Sequence, residues 1–371
     1  MKVVMLSSDP SILRHGSGAR KRMERYAELF SELHIFVLGA DADERVGSRL
    51  FLYGTGFGAV VSRLWMYRRL CTLLSQGRFD AVSAQSPDEV GLIGYFASRR
   101  FGVPFQLQVH ADVLSPWYCR ASWKERVRYR IACFLLPRAR CIRVVSARIR
   151  DSVVRRFPAA RERIAVLPIF ADLVAFRRAV ADGAAPVAPV KKRFRMCAAG
   201  RFVEKEKNFL MLIRMMAELR TAIPEATLSI IGDGPDRLRY ERAIARFGLG
   251  GCVILEEWRS DIHEYFRSFD VFLLSSYHEG WGRVVLEAMA AGLPVVMTDV
   301  GLAGEVVKSG VNGIVIPVND RDAFRSAVEF LSKDPELRAQ FSRANVEVVR
   351  SFPSDEEEYL LRYRETFTIC F

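Results

Sequence analysis

Short runs of β-branched and other apolar residues alternate along the chain with longer stretches whose apolar positions recur every three or four residues. The short runs predict buried strands and the longer stretches predict amphipathic helices, and their alternation is typical of parallel α/β sheets. In the first half of the chain the predicted strands are Lys2–Leu6, His34–Leu38, Ala81–Ala84, Phe105–Val109 and Cys141–Val145. Helices are predicted between them, for example over Ala19–Leu33 and Glu89–Phe101.

A second series of the same kind follows in the second half. Its predicted strands are Arg195–Ala199, Thr227–Ile231, Val253–Leu255, Val271–Leu274, Pro294–Thr298 and Gly313–Pro317. Residues 181–192 are rich in Ala and Pro without a period, and we interpret them as an interdomain linker. A chain of 371 residues fits two such domains. We predict a first domain over 1–185, a second over 190–353, and a final helix over 354–371 whose acidic opening suits the helix dipole.

Composition indicates an ordinary globular protein, with half of the residues hydrophobic and about a quarter charged. Its apolar runs are far shorter than the ~20 residues of a membrane span, and the short apolar start Lys2–Leu6 predicts a first strand, not a signal peptide. Seven scattered cysteines without a Cys-x-x-Cys pair argue against a disulfide framework or a structural zinc site. We therefore expect a cytoplasmic protein in which all seven are small buried apolar residues.

Positive charge is concentrated in the first half. Residues 1–190 hold 30 Lys and Arg against 16 Asp and Glu, whereas the remainder holds 25 against 27. Aromatic and basic residues intermingle in one stretch: Trp117, Tyr118, Arg120, Trp123, Lys124, Arg126, Arg128, Arg130, Arg138, Arg140 and Arg143. This pattern suits either a helix bound to the anionic cytoplasmic face of a membrane or an ordinary helix with a solvated basic face. No known binding motif accompanies the charge, so nucleic acid is not an expected partner.

The densest chemical signal is the segment from Ser275 to Pro294. A buried strand is predicted to end at Leu274, and a helix is predicted to start near Gly282 after a loop. Gly280 and Gly282 allow a sharp turn and a close approach of the backbone to a ligand, and the first N–H groups of the helix suit an anion. Glu279 lies on the loop and Glu287 inside the helix. Taken alone, Glu279 is better interpreted as a capping residue and Glu287 as an acid on the helix surface.

In context, the Glu-x7-Glu spacing followed by Ala-Met-Ala-Ala-Gly-Leu-Pro-Val-Val resembles the signature of family 4 of the retaining glycosyltransferases. The segments Gly200–Asn208, Ile231–Pro235 and Asp299–Glu305 are also similar to that family, in the same order, and the first half is similar in layout. The resemblance implies a GT-B fold, with two Rossmann-like domains facing each other across a cleft and a last helix that crosses back to the first domain. It implies transfer of a sugar from a nucleotide-sugar donor.

The resemblance also assigns roles to residues of the second domain. Arg201 and Lys207 would neutralise the donor diphosphate, where negative charge gathers as the glycosidic bond breaks. The alternative is that Arg201 and Lys207 belong to a solvated, charge-rich loop with no ligand. Glu279 would contact the transferred sugar, and Glu287 would bind the ribose. The remaining implied donor contacts are Gly234 and the backbone amides of Gly280, Trp281, Gly282, Arg283 and Val284.

The first domain has two features that resemble the family, and the chain departs from the family pattern at two positions. Gly16 and Gly18 resemble the family's glycine loop near phosphate and acceptor, and His110 corresponds to a family histidine near the sugar, although a lone His is more often a packed or surface residue. The family's Asn-Gly turn is replaced here by residues 168–172, Pro-Ile-Phe-Ala-Asp, so contacts from that turn are in doubt. Arg283 stands where relatives are often apolar, and it either contacts phosphate or sets the choice of sugar.

The sequence therefore predicts a retaining, hexosyltransferase-type enzyme that moves a sugar to a hydroxyl of a glycan or lipid-linked acceptor in surface polysaccharide or glycolipid synthesis. No metal cofactor is expected: Asp41-Ala42-Asp43 imitates a metal-binding Asp-x-Asp motif but is interpreted as a polar surface loop. Glu279 and Glu287 are not a glycosidase pair. The alternatives are a same-fold epimerase or synthase, and a non-catalytic partner in a glycan-assembly complex.

Overall fold

The computed structural model describes residues 1–39, 41–56, 58–173, 193–259, 261–353 and 355–370. These residues form two compact units. The first unit comprises Met1–Pro168 together with the stretch that begins at Asp355, and the second unit begins at Ile169. The linker predicted at 181–192 and the domain boundary predicted between 185 and 190 lie outside the described residues.

Strands of the described part of the first unit form one twisted sheet. They are β1 (Lys2–Ser7), β2 (Glu32–Leu38), β3 (Ala42–Val46), β4 (Leu50–Thr55), β5 (Ala81–Ala84), β6 (Phe105–Val109), β7 (Cys141–Val144) and β8 (Ile164–Val166). Their order is β3-β4-β2-β1-β5-β6-β7-β8, and every neighbouring pair is parallel except β3 with β4. Strands β5, β6 and β7 are buried along their whole length. Burial on both faces is typical of parallel strands in α/β proteins, although Ser83, Gln106, Gln108 and Arg143 are buried here among the apolar residues.

The helices of this unit alternate with the strands along the chain. They are α1 (Gly18–Ala27), α2 (Ala59–Gln76), α3 (Glu89–Phe101), α4 (Pro116–Ala121), α5 (Trp123–Leu135) and α6 (Ala147–Arg156), with 3-10 helices at Pro10–Leu13 and Pro158–Arg163. Ser17 caps α1, and Asp88 caps α3, by accepting a hydrogen bond from a backbone N–H of the first turn. The helix predicted over Glu89–Phe101 is confirmed.

Two predicted elements of this unit are wrong. The helix predicted over Ala19–Leu33 ends at Ala27, because Leu33 pairs with Val3 as part of β2. Strands β3, β4 and β8 were not predicted. The proposed loop at Asp41-Ala42-Asp43 opens an edge strand instead, and Asp43 pairs with Arg69 at 2.5 Å. Alternating exposed residues make β3 resemble a loop in the sequence, and its pairing with β4 decides its structure.

The last helix, α14 (Glu356–Thr368), packs within the first unit. Asp355 caps it, and three glutamates occupy its first turn, as the acidic opening of this segment predicts. Tyr363 stacks on Tyr26 with ring centroids 4.0 Å apart, and its hydroxyl accepts a hydrogen bond of 2.9 Å from Gln108 Nε2. The hydroxyl of Tyr359 lies 3.1 Å from that of Tyr26. Aromatic stacking and buried hydrogen bonds thus hold the end of the chain on α1 and β6.

The prediction that all seven cysteines are small buried apolar residues is wrong for one disulfide pair and for three partly exposed thiols. Cys141 on β7 and Cys370 after α14 form a disulfide, with their Cα atoms 5.1 Å apart. The two residues are 229 positions apart in sequence, and only the packing of α14 brings them together, so their spacing gave no signal. The other five are free thiols; Cys197 and Cys252 are buried, and Cys71, Cys119 and Cys133 are only half-buried.

The described part of the second unit contains a parallel sheet of six strands. They are β9 (Arg195–Ala199), β10 (Thr227–Ile231), β11 (Val253–Glu256), β12 (Val271–Leu274), β13 (Val295–Thr298) and β14 (Gly313–Ile316), in the order β11-β10-β9-β12-β13-β14. The helices are α7 (Glu204–Lys207), α8 (Phe209–Ala222), α9 (Arg237–Arg246), α10 (Ile262–Phe266), α11 (Arg283–Ala290), α12 (Arg321–Lys333) and α13 (Pro335–Arg350). All six predicted strands are confirmed to within one residue. Both units are therefore Rossmann-like, as the alternating pattern predicts.

Across the part of the chain that the structure describes, every helix is too short or too polar to cross a lipid bilayer.

Candidate active site

The strand order of the second unit reverses between β9 and β12. From β9 the chain continues outward through β10 and β11, whereas β12 is followed by β13 and β14 on the other side. In open parallel sheets, ligands bind beyond the carboxyl ends of the strands at such a reversal. Arg201 and Lys207 follow β9, and Glu279 follows β12. Three of the predicted site residues therefore come from the two strands that flank the reversal.

Lys207 and Glu279 form a largely buried ion pair at this edge. The Lys207 Nζ atom lies 2.5 Å from Glu279 Oε1, and the two side chains are only 16% and 13% exposed. Two serines that directly follow β12 support the pair: the Ser276 hydroxyl donates to Glu279 Oε1 at 2.8 Å, and the Ser275 hydroxyl donates to the Lys207 carbonyl at 2.8 Å. The pair is fixed by both strand ends, so its position is set before any ligand arrives.

The electrostatics of the pair keep Glu279 ionised. Burial raises the pKa of its carboxyl group, but the charge and hydrogen bond of Lys207 and the hydrogen bond of Ser276 oppose burial and bring the pKa below its ordinary value. A lysine and a carboxylate in this state offer one cation to a phosphate and one strong acceptor to a hydroxyl.

Glycines let neighbouring loops approach this pair closely. Gly301, after β13, has φ +54°, and a Cβ there would lie 2.7 Å from the Trp281 carbonyl oxygen and 3.0 Å from Glu279 Cβ. Gly234, after β10, has φ +154°, and a Cβ there would lie 2.6 Å from the Phe202 carbonyl oxygen. Packing of the β10 loop on the β9 loop thus accounts for Gly234. Its predicted contact with the donor stays a prediction.

Arg201 stands apart from the buried pair. Its side chain is 66% exposed, and its Nη2 atom lies 3.2 Å from Glu206 Oε2. An exposed ion pair of this kind contributes little to stability and exchanges readily for a better anion. Arg201 is therefore free to turn towards a phosphate.

Helix α11 presents its N-terminus beside Glu279. Gly282 precedes the helix with φ +86° and provides no side-chain cap, so the first backbone N–H groups are open to an anion. Gly280 and Trp281 are buried, and Val284 is half-buried. The indole Nε1 of Trp281 is buried without a hydrogen-bond partner among the described residues. This turn has the geometry of an anion-binding loop.

Glu287 lies one turn further along α11 and is paired with Arg283. Arg283 Nε lies 3.0 Å from Glu287 Oε1. Burial raises the pKa of Glu287, and the charge and hydrogen bond of Arg283 partly offset that rise. The second oxygen, Oε2, is buried and has no hydrogen-bond partner among the described residues. A hydroxyl group would satisfy that oxygen.

The glycine loop of the first unit also lies at a reversal of strand order, which falls between β1 and β5. Gly16 has φ +75°, and a Cβ at Gly16 or Gly18 would meet no atom within 4 Å. Ser17 between them accepts a hydrogen bond from the Arg20 backbone N–H at 3.0 Å and so starts α1. The positive φ explains Gly16, and the open space leaves room for a ligand beside the helix N-terminus.

His110 follows β6 and is only partly exposed. Burial first, and then the positive charges of Arg143 and Arg22, lower the pKa of His110 to about 3. The imidazole is therefore neutral near pH 7, with one nitrogen to donate and one to accept a hydrogen bond.

Sequence reasoning missed three residues that shape these sites. Ser275 and Ser276 hold the ion pair, and small polar residues directly after a buried strand were the available signal. Arg143 is fully buried on β7, where it donates to Gln108 Oε1 at 2.9 Å and to the Tyr359 hydroxyl at 3.1 Å. It stood out in the sequence only as part of a basic cluster, because nothing local shows that it points inward.

Two Rossmann-like sheets, with glycine turns and charged residues at their reversal points, define a two-domain enzyme of the nucleotide-binding α/β class. Two family models divide this chain between them. One, described as glycosyl transferases group 1, matches residues 185–348, and the other, a glycosyl transferase 4-like domain, matches residues 16–169. The protein belongs to the group 1 glycosyltransferases, and the resemblance stated from its motifs is confirmed.

Individual proteins agree with this assignment. The chain is 29% identical over 246 residues to the lipopolysaccharide core biosynthesis glycosyltransferase LpsE of Rhizobium meliloti, covering 64% of this chain and 70% of LpsE. It is 26% identical to an Escherichia coli UDP-Gal:alpha-D-GlcNAc-diphosphoundecaprenol alpha-1,3-galactosyltransferase over 76% of this chain and 74% of that protein. The crystal structure of Anabaena HepE in complex with UDP and glucose matches with a TM-score of 0.75 at 19% identity, covering 99% of both chains. The fold is thus GT-B.

Proposed function

We propose that this enzyme transfers a sugar, with retention of anomeric configuration, from a UDP-sugar to a hydroxyl of a lipid-linked or glycan acceptor during synthesis of a cell-surface polysaccharide or lipopolysaccharide. The observation that carries the proposal is the buried Lys207–Glu279 pair, set between two strand ends and next to the open N-terminus of α11. Relatives that act in lipopolysaccharide core synthesis or on a diphosphoundecaprenol-linked sugar support the acceptor class.

The donor diphosphate is assigned to the cations that follow β9. Lys207 is held by Glu279, and the exposed side chain of Arg201 pairs with the half-buried carboxylate of Glu206. The N-terminal turn of α11 adds backbone N–H groups from Gly282 to Val284. Together they oppose the negative charge that develops on the leaving nucleoside diphosphate, which is where electrostatic stabilisation accelerates such a reaction.

Sugar and ribose are assigned to the two glutamates. Glu279 is ionised and accepts hydrogen bonds, which suits the hydroxyls of the transferred sugar. Glu287 has an unsatisfied buried oxygen, which suits a ribose hydroxyl. His110, neutral at working pH, and the Gly16–Gly18 loop remain predicted contacts on the first unit. None of these groups has to act as a nucleophile.

In the step we propose, the bond between the anomeric carbon and the β-phosphate oxygen breaks, and the acceptor oxygen forms a bond to that carbon on the same face. The acceptor proton passes to the leaving phosphate oxygen. The residues of this chain bind, orient and neutralise charge. A proton NMR spectrum of the first product tests retention, because an inverted anomeric signal contradicts it.

The donor nucleotide is tested by thermal shift with UDP, GDP, ADP, CMP and dTDP on the wild type and on Arg201→Ala. A nucleotide at ~100 times its dissociation constant adds about 2.7 kcal/mol, and a chain of this size then gains roughly 2–4 °C. We expect UDP to raise the melting temperature of the wild type and to raise that of Arg201→Ala less. Complexes of HepE with UDP and with UDP-glucose support this choice. If only another nucleotide raises the melting temperature, the donor carries that nucleotide's base and not uracil. If none of the five raises it, the result contradicts the proposed donor site.

No metal ion takes part in the proposed step. Lys207, Arg201 and the α11 N-terminus supply the positive charge instead. We expect turnover to continue in excess EDTA. Loss of turnover in EDTA that added Mg²⁺ restores would overturn this part of the proposal.

A membrane surface is the proposed second partner, and helices α2, α3 and α5 of the first unit support it. Glu89 at the start of α3 lies 3.4 Å from Arg63 Nη2 of α2 and 3.3 Å from Arg128 Nε of α5, so the three helices lie side by side. Large apolar side chains are exposed on all three: Val60, Val61, Leu64, Phe96, Trp123 and Val127. A groove of about 600 Å³ runs along α2 and is lined in part by Val61, Leu64 and Arg68.

Exposed apolar residues among arginines suit an anionic bilayer surface, on which a lipid-linked acceptor is presented at the cytoplasmic face. Flotation with vesicles of phosphatidylglycerol and with neutral vesicles tests the idea. We expect wild type to float with the anionic vesicles at moderate salt, and Val60→Ser/Leu64→Ser to float less. The control is Leu238→Ser/Ile254→Ser, which removes two apolar residues of the second unit that are 55% and 51% exposed. No binding, or equal loss in both variants, overturns the assignment.

A further inference from the structure

The carboxylate of Glu287 is buried, yet only one of its oxygens has a partner among the described residues. The residue is 8% exposed. Its Oε1 atom lies 3.0 Å from Arg283 Nε, whereas Oε2 is buried with no hydrogen-bond partner. A buried acceptor left unsatisfied costs free energy that a donor group would recover. This oxygen therefore points to a ligand that donates a hydrogen bond.

Arg283 holds this carboxylate from an unfavourable place on the helix. It is the first residue of α11, where the positive end of the helix dipole disfavours a cation. An arginine four residues before a glutamate is also the weaker orientation of such a pair. About half of the Arg283 side chain is exposed. Stabilisation of the helix thus does not explain the pair, and the need of the buried carboxylate for a countercharge does.

We propose that Arg283 is a positioning residue for the nucleotide, which fixes Oε1 of Glu287 so that Oε2 accepts a ribose hydroxyl, and that the pair thereby selects ribonucleotides over 2′-deoxyribonucleotides. The inference rests on the proposed function, which supplies a nucleoside diphosphate to this site. Because Arg283 occupies Oε1, Oε2 is the oxygen that is left for the 2′-hydroxyl of the ribose. A 2′-deoxyribose lacks that hydroxyl and leaves the buried Oε2 unsatisfied, which is the situation that gives strong discrimination.

Calorimetric titration tests this with matched pairs of nucleoside diphosphates, UDP and dUDP, GDP and dGDP, ADP and dADP. For the base that binds, we expect wild type to prefer the ribonucleotide about 10–100-fold, the effect of one hydrogen bond to a charged group. Arg283→Met removes the charge at similar length. We expect this variant to bind the ribonucleotide more weakly and the deoxyribonucleotide with nearly unchanged affinity, so that the preference for the ribonucleotide falls to within a few-fold. Glu287→Gln is expected to lower the preference in the same way.

The matched control is Arg325→Met on α12, where Arg325 Nη1 lies 3.0 Å from Glu329 Oε1 at the same four-residue spacing. We expect it to keep the wild-type preference, and the melting temperature of each variant shows whether it is folded. If Arg283→Met weakens the binding of the ribonucleotide and of the deoxyribonucleotide equally, Arg283 is a phosphate contact and the inference is wrong. Equal binding of both sugars by wild type also overturns it, while the donor site stands. If wild type binds none of the six nucleotides, the proposed donor site fails and the inference falls with it.

Discussion

Lys207 and Glu279 show why a buried ion pair is better evidence for ligand binding than for stability. Desolvation of two charges offsets most of their attraction, so such a pair adds little net stability. Removing one partner is different, because it leaves an uncompensated charge in a site that is only 13–16% exposed. At the residue scale, the pair is therefore expected to be sensitive to single substitutions and tolerant of a double one.

Lys207→Met is expected to lower the free energy of unfolding of the second unit by about 3 kcal/mol at pH 7. Lys207→Met/Glu279→Gln is expected to recover most of that loss, because no buried charge is then unpaired. Urea unfolding of the wild type, both single variants and the double variant measures the coupling. Equal and additive losses would show that the two side chains do not interact.

The same pair predicts a pH dependence. Glu279 has a lowered pKa in the folded wild type, so its contribution is present above the unfolded value near 4.5 and is lost as the pH falls through the folded value. Without Lys207, burial raises that pKa, and the carboxylate destabilises the fold at neutral pH. We expect the stability gap between wild type and Lys207→Met to narrow from pH 7 to pH 4. A gap that widens on acidification contradicts the assignment.

Gly301 gives a prediction about the loops that support the pair. Alanine there must adopt φ +54° and must place its Cβ 2.7 Å from the Trp281 carbonyl oxygen. Gly304→Ala is the control, because Gly304 also has a positive φ, +76°, but no atom lies within 4 Å of its Cβ position. We expect Gly304→Ala to cost about 1 kcal/mol and Gly301→Ala clearly more, with weaker nucleotide binding. Equal melting temperatures would show that the close approach carries no energy.

At the scale of elements, the position of helix α14 depends on contacts with residues that are far away in the sequence. Tyr359 and Tyr363 bond to Arg143 and Gln108, and Cys370 is joined to Cys141. Closing a loop of this length stabilises a fold by about 2–5 kcal/mol. We expect a reducing agent present during thermal unfolding to lower the melting temperature of the wild type and to leave that of Cys370→Ser unchanged. If both respond alike, the disulfide does not secure α14.

Elements with strong periodicity were predictable, and those defined by pairing were not. Strand β12 is a continuous apolar run and β9 is apolar after Arg195, and the bounds of both were predicted without error. Strand β3 is exposed on alternate residues and forms only because β4 lies beside it. The end of α1 was predicted too late in the chain because Leu33 pairs with β1 as part of β2. The local pattern of apolar and polar residues indicates burial and the period of a helix or strand. Pairing with a strand from elsewhere in the chain does not show in that local pattern.

The candidate site follows the same division. Its residues were identified because the carboxyl ends of parallel strands collect ligands, and Lys207 and Glu279 do meet at such an edge. Their direct contact, the support from Ser276 and the unsatisfied oxygen of Glu287 required the structure. Side-chain direction is set by packing, and the sequence shows only which residue types are near a strand end.

On the scale of the whole molecule, charge is divided between the two halves. The basic excess lies within residues 1–190, and exposed apolar residues of α2, α3 and α5 belong to the same unit. The cations assigned to the donor lie in the second half, which is nearly neutral. This division is consistent with an enzyme whose first unit meets an anionic acceptor surface and whose second unit binds the nucleotide-sugar.

The most direct measurement of the central claim is sugar transfer from a UDP-hexose with a radiolabelled sugar, in the presence of a bacterial lipid extract as the source of acceptor. The wild type is compared with Lys207→Met and with the matched surface variant Lys333→Met on α12. We predict that the wild type and Lys333→Met release UDP and move label into the lipid fraction, and that Lys207→Met does so at least ~100-fold more slowly while still folded. Transfer by Lys207→Met at the wild-type rate would contradict the assignment of the Lys207–Glu279 pair to the donor.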